Sequence, residues 1–215
     1  MKKSLMMTLI LVVLAGSALA EMVKIECIGT VEYSQVNQGV FADVNSGDAV
    51  YATFNVDSDN WVASPGGFGV RGYVVDQSSF QLTIGSVGPV ALVNPQPNDA
   101  VTYFSIRNAD PVADGFFIAN QVDYDNILPS LNVPGGLDPW FSFHWTIGYT
   151  GETFSSLDIL DCLGTYDFTG LTSFYTVISD AFADPIGFEP MQTIISTESV
   201  ATEPASLGQV KALYR

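Results

Sequence analysis

Two short clusters of oxygen donors offer the clearest chemistry in this chain: Asp57-Ser58-Asp59-Asn60 and Asp123-Tyr124-Asp125-Asn126. Adjacent carboxylates and amide carbonyls are the hard ligands that calcium takes, about six to eight at a time. Asp57, Asp59, Asn60, Asp123, Asp125 and Asn126 are therefore the candidate ligands, and calcium the one cofactor to be considered. Neither cluster continues with the glycine and terminal glutamate of an EF-hand, and Asp and Asn are also ordinary turn residues. Trp61, in a Gly/Pro/Ser stretch, and Trp140, at a strand start, carry rings that could stack on a sugar, although aromatic side chains more often serve a core or an interface. His144 is the single histidine, so any Ser-His-Asp or Cys-His chemistry would have to pass through it. No G-x-S-x-G or H-E-x-x-H pattern accompanies it. The 23 acidic residues always supply some pair for a glycosidase mechanism, but nothing marks one pair out. No catalytic residue is nominated.

The first twenty residues carry a different message. Lys2 and Lys3 precede the apolar run 5–15, and Ala18-Leu19-Ala20 presents small residues where a signal peptidase reads. The expectation is a cleaved signal peptide over 1–20, a β domain over 21–196 and a linker with a short tail over 197–215, whose last ten residues could be a recognition tag or a frayed end. No later stretch is apolar for long enough to span a bilayer as a helix. Removing the leader takes the formal charge from −16 to −18, because 1–20 contains two lysines and no acid. Such a chain offers no basic surface to nucleic acid and none to anionic lipid. Export also bears on Cys27 and Cys162: an oxidising compartment favours one disulfide between them, the alternative being two separate buried thiols.

The elements that must position these residues are strands. In 22–33, Val23, Ile25, Cys27, Val31 and Tyr33 alternate with Lys24, Glu26, Thr30 and Glu32. In 48–59, Val50, Ala52, Phe54 and Val56 alternate with Tyr51, Thr53, Asn55 and Asp57. A period of two is the mark of a strand with one buried face. Further runs fall at 68–75, 79–84, 90–93, 101–107, 116–119, 140–149, 172–178 and 191–196, with the turn-rich segments 58–67 and 123–138 among their connections. The run 140–149 puts Phe141, Phe143, Trp145, Ile147 and Tyr149 on one face, suited to packing against a second sheet. About ten short strands at even spacing indicate an all-β, antiparallel β-sandwich of jelly-roll type, with a closed barrel as the structural alternative.

The phrases SGDAVYATFNVDSDN, GYVVDQSSFQLTIG, YFSIRNADPVADGFF and DFTGLTSFYTVIS, in that order, resemble the β-sandwich ectodomain of bacterial exported proteins of the PEP-CTERM and choice-of-anchor type. The resemblance spans about residues 25–195. It implies a location and a fold and little chemistry; the terminal Pro-Glu-Pro motif, membrane segment and Arg cluster of the anchored members have no counterpart here. The functional expectation is a non-catalytic, secreted structural or adhesion module, at the cell surface, in the extracellular space or in a periplasm, facing surface polysaccharide or an envelope protein. The alternative is a carbohydrate-binding module, calcium-dependent or not. A hydrolase using unmarked carboxylates is a third class.

Overall fold

The computed structural model describes residues 20–66, 69–109, 113–181 and 183–197. The expected leader and tail lie outside these, apart from Ala20 and Thr197. Among the described residues the chain forms ten strands: β1 (Met22–Ser34), β2 (Ala49–Ala63), β3 (Val70–Ile84), β4 (Val87–Val90), β5 (Tyr103–Ala109), β6 (Ala113–Ala119), β7 (Ser142–Tyr149), β8 (Gly164–Tyr166), β9 (Leu171–Asp180) and β10 (Ala183–Thr197). All pairings between them are antiparallel. None of the helical turns is long and apolar enough to cross a membrane.

The alternation read from the sequence is the physical basis of the first two strands. Val23, Ile25 and Cys27 of β1 and Val50, Ala52, Phe54 and Val56 of β2 are all buried, paired as Val23↔Val56, Ile25↔Phe54 and Cys27↔Ala52. The phase breaks at a bulge after Val31, which turns Tyr33 to an exposed position instead of the expected core. Gly187 gives the Tyr33 ring its place, since a Cβ there would stand 2.3 Å from Tyr33 Cε1 and push the ring aside. Two of the expected runs, 68–75 and 79–84, are one strand. β3 passes through a bulge where Ser79 Oγ donates to Asp76 O at 2.6 Å and accepts from Asn55 N at 2.8 Å, so the irregular turn keeps its backbone bonds. β2 likewise continues through Trp61 to Ala63, where a loop was expected.

The sheet does not split into two. Its order is β1-β2-β3-β5-β6-β7-β9-β10, and β10 returns to β1 along a ladder from Val23↔Thr197 to Ser34↔Ile186. Eight strands therefore close on themselves, with β4 added to β3 and β8 to β10. The sandwich expectation gives way to this closure: both edges that a sandwich sheet would leave open are consumed by the β1–β10 ladder. The interior is solid. Phe54, Phe80, Phe104, Phe116, Phe143 and Trp145 are fully buried, and Phe80 of β3 meets Phe143 of β7 edge-on at 5.6 Å between ring centroids. Trp145 donates its indole N–H to Thr193 Oγ1 of β10 at 3.0 Å, which satisfies the one polar atom of that ring.

Loops plug both mouths. At one, Phe41 packs edge-on against Phe141 at 5.5 Å, and the Asp180 carboxylate accepts from the backbone N–H groups of Gly136, Leu137 and Asp138 at 2.8–2.9 Å, which fastens the long loop before β7 to the end of β9. At the other, the segment between β7 and β8 sends Phe154, Ile159 and Cys162 into the core. Tyr73 holds it, donating to Leu157 O at 2.7 Å and accepting from Ile159 N at 2.8 Å. Since Phe104 touches both Phe54 and Phe116 in that packing, Phe104→Ala is expected to cost about 3–5 kcal/mol of stability, read from the urea midpoint. A loss under about 1 kcal/mol would mean that the interior is not close-packed.

Candidate functional site

The sequence-nominated residues are dispersed, and the structure assigns most of them local work. In the first cluster, Asp57 turns its carboxylate back to accept from Asp59 N at 2.9 Å. Ser58 is buried, bonded at its Oγ to Glu21 N at 3.0 Å. Asp59 and Asn60 are exposed on β2. The second cluster lies on the loop after β6, where Asp123 and Asp125 are half-buried and Asn126 is exposed. Among the described residues no group of three His, Cys, Asp or Glu side chains is placed to hold a metal ion.

Trp61 is 43% exposed, but one face of its ring is already taken. The Arg71 guanidinium sits over it, 4.0 Å from the centroid, and the same guanidinium reaches Tyr73 OH at 3.3 Å and Asp158 at 3.9 Å. This cation–π contact ties the end of β2 to the plug at the barrel mouth. Trp140 is half-buried in the loop before β7.

The cysteines are not joined. Cys27 and Cys162 are both buried free thiols. Cys27 belongs to the inward row of β1 between Ala52 and Thr193; Cys162 ends a short 3-10 turn and directs its Sγ to Ser156 O at 3.5 Å. Each sulfur thus fills its own place in the core, and export chemistry alone was a poor guide to geometry. Burial pushes both thiols up, Cys27 well above the usual thiol range and Cys162 to about 12, with neighbouring carboxylates adding to the effect. Neither is a reactive thiolate at neutral pH.

His144 faces outward from β7, on the polar phase, and is nevertheless buried. Its Nε2 bonds Thr146 Oγ1 at 2.8 Å, its ring meets Tyr175 edge-on at 4.5 Å, and Nδ1 has no partner. Burial lowers its pKa to about 4, against the pull of Asp125 and Asp184 in the other direction. Tyr175 and Ser179 both donate to Asp184. The Thr146 hydroxyl, two residues along the same strand, is the hydrogen-bond partner of His144 Nε2.

One nominated residue, Asp123, lines a cleft on the outer face of β3, β5 and β6. Here Val70, Phe117, Ala119 and Val122 form a second, smaller apolar cluster with Tyr103 packed on it, and the Arg107 guanidinium lies 5.1 Å from the Phe117 ring. The loop after β6 sits down on this face because Gly72 leaves room: a Cβ there would be 2.9 Å from Val122 Cγ2. A buried amide network fixes the same loop. Gln96 donates to Val93 O and Ser130 O and accepts from Asn120 and Ser130 N, while Asn120 accepts from Thr102 and also donates to Leu128 O. Between the loop and the end of β2 runs a cleft of about 400 Å³ lined by Val62, Pro65, Tyr103, Gln121, Asp123 and Tyr124, among others. Tyr124 is 60% exposed, and Asp123 Oδ1 has no partner. Tyrosine rings with amide and carboxylate groups beside them can hold a neutral polar ring by stacking and hydrogen bonding. Sequence reading reached Asp123 as a metal ligand but missed Tyr103, Gln121 and Tyr124, since only the fold brings them to one cleft.

No protein-family model, curated protein or solved structure matches the chain.

The depressed His144 pKa makes a pH prediction with a definite sign. The unfolded chain binds a proton near pH 6.5 and the folded chain only near 4, so stability is lost as pH falls through that window, by about 3 kcal/mol at most. His144→Gln should flatten the pH dependence of the melting temperature between those values. An unchanged slope would show that the carboxylates alone govern it.

Proposed function

We propose that this chain is a non-catalytic, exported β domain that serves as a structural or adhesion module at the cell surface or in the extracellular space. The observation that carries the reading is the filled interior. With Phe80 against Phe143 across the barrel and loops plugging both mouths, contacts with other molecules fall to the outside of the barrel. The leader-like start and the acidic composition support export, and a surface of one predominant sign favours solubility outside the cell. The short ring-to-ring distance between β3 and β7 also supports reading the barrel as flattened, its two broad faces packed as in a sandwich. That is the form in which the resemblance to PEP-CTERM and choice-of-anchor ectodomains is retained. Partners of this class are surface polysaccharide or envelope protein, not nucleic acid.

A second reading, carbohydrate recognition, is favoured by the cleft beside the loop after β6. Tyr124 and Tyr103 supply rings, Gln121 and Asp123 supply polar atoms, and no metal is required for such a contact.

The two readings and the hydrolase class separate in one set of measurements on the exported protein. Fractionation should recover it from the envelope or medium, and a broad glycosidase and esterase screen should give no turnover. On a glycan array, binding that falls at least about tenfold with Tyr124→Ala but survives Trp140→Ala would establish the second reading, on the scale expected for loss of one stacking ring. Turnover abolished by replacing a single carboxylate, with the circular dichroism unchanged, would overturn both.

A further inference from the structure

The barrel has one weak seam. β9 pairs with β7 along its whole length, but with β10 only at Ala183↔Asp180, Ile186↔Ile178 and Gly187↔Val177. Beyond that point β10 turns to β8, pairing Thr193 with Tyr166. The last link along the seam is a side chain, Thr176 Oγ1 donating to Phe188 O at 2.6 Å. No ladder among the described residues covers the first half of β9 on the side away from β7. The consequence is visible in the burial: Thr172, Ser173, Phe174 and Tyr175 are exposed whichever way they point. Phe174 stands opposite the buried Ile147 and is still 46% exposed. Phe168, just before β9, and Met191 of β10 are also exposed and line one slot with Leu171. The slot beneath, between Leu171 and Met191, leaves only about 10 Å³, too little for a small molecule but no obstacle to a strand lying along its rim.

Strand edges left open are normally blunted by proline, charge or extreme shortness. β4 carries Pro89 and β8 has three residues, so the fold uses these devices elsewhere. The β9 edge has none of them: residues 168–179 contain no charged side chain and no proline. In a chain of net charge −16, most of the surface repels another copy, and an uncharged strand edge is where two copies can approach. A strand also complements itself when it pairs antiparallel about a two-fold axis.

We propose that the exposed half of β9, Leu171 to Tyr175, is a self-association edge at which a second copy of this chain adds its own β9 antiparallel, covering Phe174, Phe168 and Met191. This goes beyond the structural or adhesion reading and does not depend on it. Asp167 precedes the edge in sequence, Asp184 of β10 accepts from Tyr175 OH, and Glu189 of β10 is exposed, so the contact strengthens as salt screens these carboxylates.

The test is sedimentation equilibrium of the full-length exported chain over a wide concentration range, at low and moderate salt. Reversible dimerisation that tightens with salt is expected. Ser173→Glu and Phe174→Glu should each weaken it about tenfold or more, since like charges face each other across the pairing. Leu137→Glu, on a surface position 72% exposed, should not. Should the β9 variants fail to fold, hydrogen exchange of the unaltered chain decides: amides of 171–176 should be protected at high concentration and exchange on dilution. A monomer at every concentration overturns the proposal. So does concentration-independent protection of those amides, which would mean that the chain's own segment covers the edge, or a dimer insensitive to both glutamates.

Discussion

The ladder between β1 and β10 is the constraint on which the rest of the molecule depends. It joins the first and last strands of the described domain from Val23↔Thr197 to Ser34↔Ile186. Without it the path from β1 to β10 is an open sheet with one apolar face and two bare edges. With it, the inward rows of eight strands enclose a single volume, and the only way to fill that volume without cavities is with large side chains. The run of phenylalanines from Phe54 through Phe104 to Phe116, with Phe80 and Phe143 beside it, does this. The ladder also joins residues more than 150 positions apart, so its loop-closure entropy is recovered only when the whole core forms.

Closure sets the surroundings of the polar groups inside the barrel, which are packed against protein. Trp145 N–H, Thr193 and the Gln96–Asn120 amide network have their hydrogen-bonding capacity taken up by protein, and such satisfied networks fix one arrangement of loops. Six buried side-chain atoms among the described residues have no partner: the hydroxyls of Ser34, Ser64 and Ser105, one oxygen each of Asp114 and Asp123, and Nδ1 of the outward-facing His144; the other Asp114 oxygen accepts from Phe154 N. Two surface features differ in kind, the tyrosine-lined cleft beside the loop after β6 and the edge of β9, whose residues 168–179 are uncharged. They lie on different strands and make different contacts, one suited to rings and the other to backbone.

Much of the fold was legible in residue alternation because a half-buried strand writes its two faces directly into the chain. β1, β2 and β7 carry the pattern cleanly, and the inward set Phe143, Trp145, Ile147 and Tyr149 is as the sequence implies. What alternation does not encode is how strands pair at long range, so the choice between sandwich and barrel was not decidable from it. Local irregularity was also hidden. The bulge after Val31 reverses the side on which Tyr33 falls, and the Asp76–Ser79 turn that looked like a strand break is a bulge inside β3. The candidate sites were legible only as residue types. The Asp and Asn clusters read as metal ligands by residue type alone, although the Asp57 carboxylate caps a turn at Asp59 N, and Cys27 and Cys162 read as a pair until each is seen seated separately. Tyr124 lay inside a nominated motif for another reason, and only its neighbours Tyr103 and Val62, distant in sequence, give it a cleft.

The most direct test of closure is native-state hydrogen exchange of the barrel domain, followed peptide by peptide. Amides of β1 and β10 between Val23↔Thr197 and Val31↔Phe188 should exchange as slowly as those of β7, through global unfolding only. Fast exchange along β1 and β10 while β5, β6 and β7 stay protected would contradict the closed barrel and, with it, the assignment of function to the outer surface.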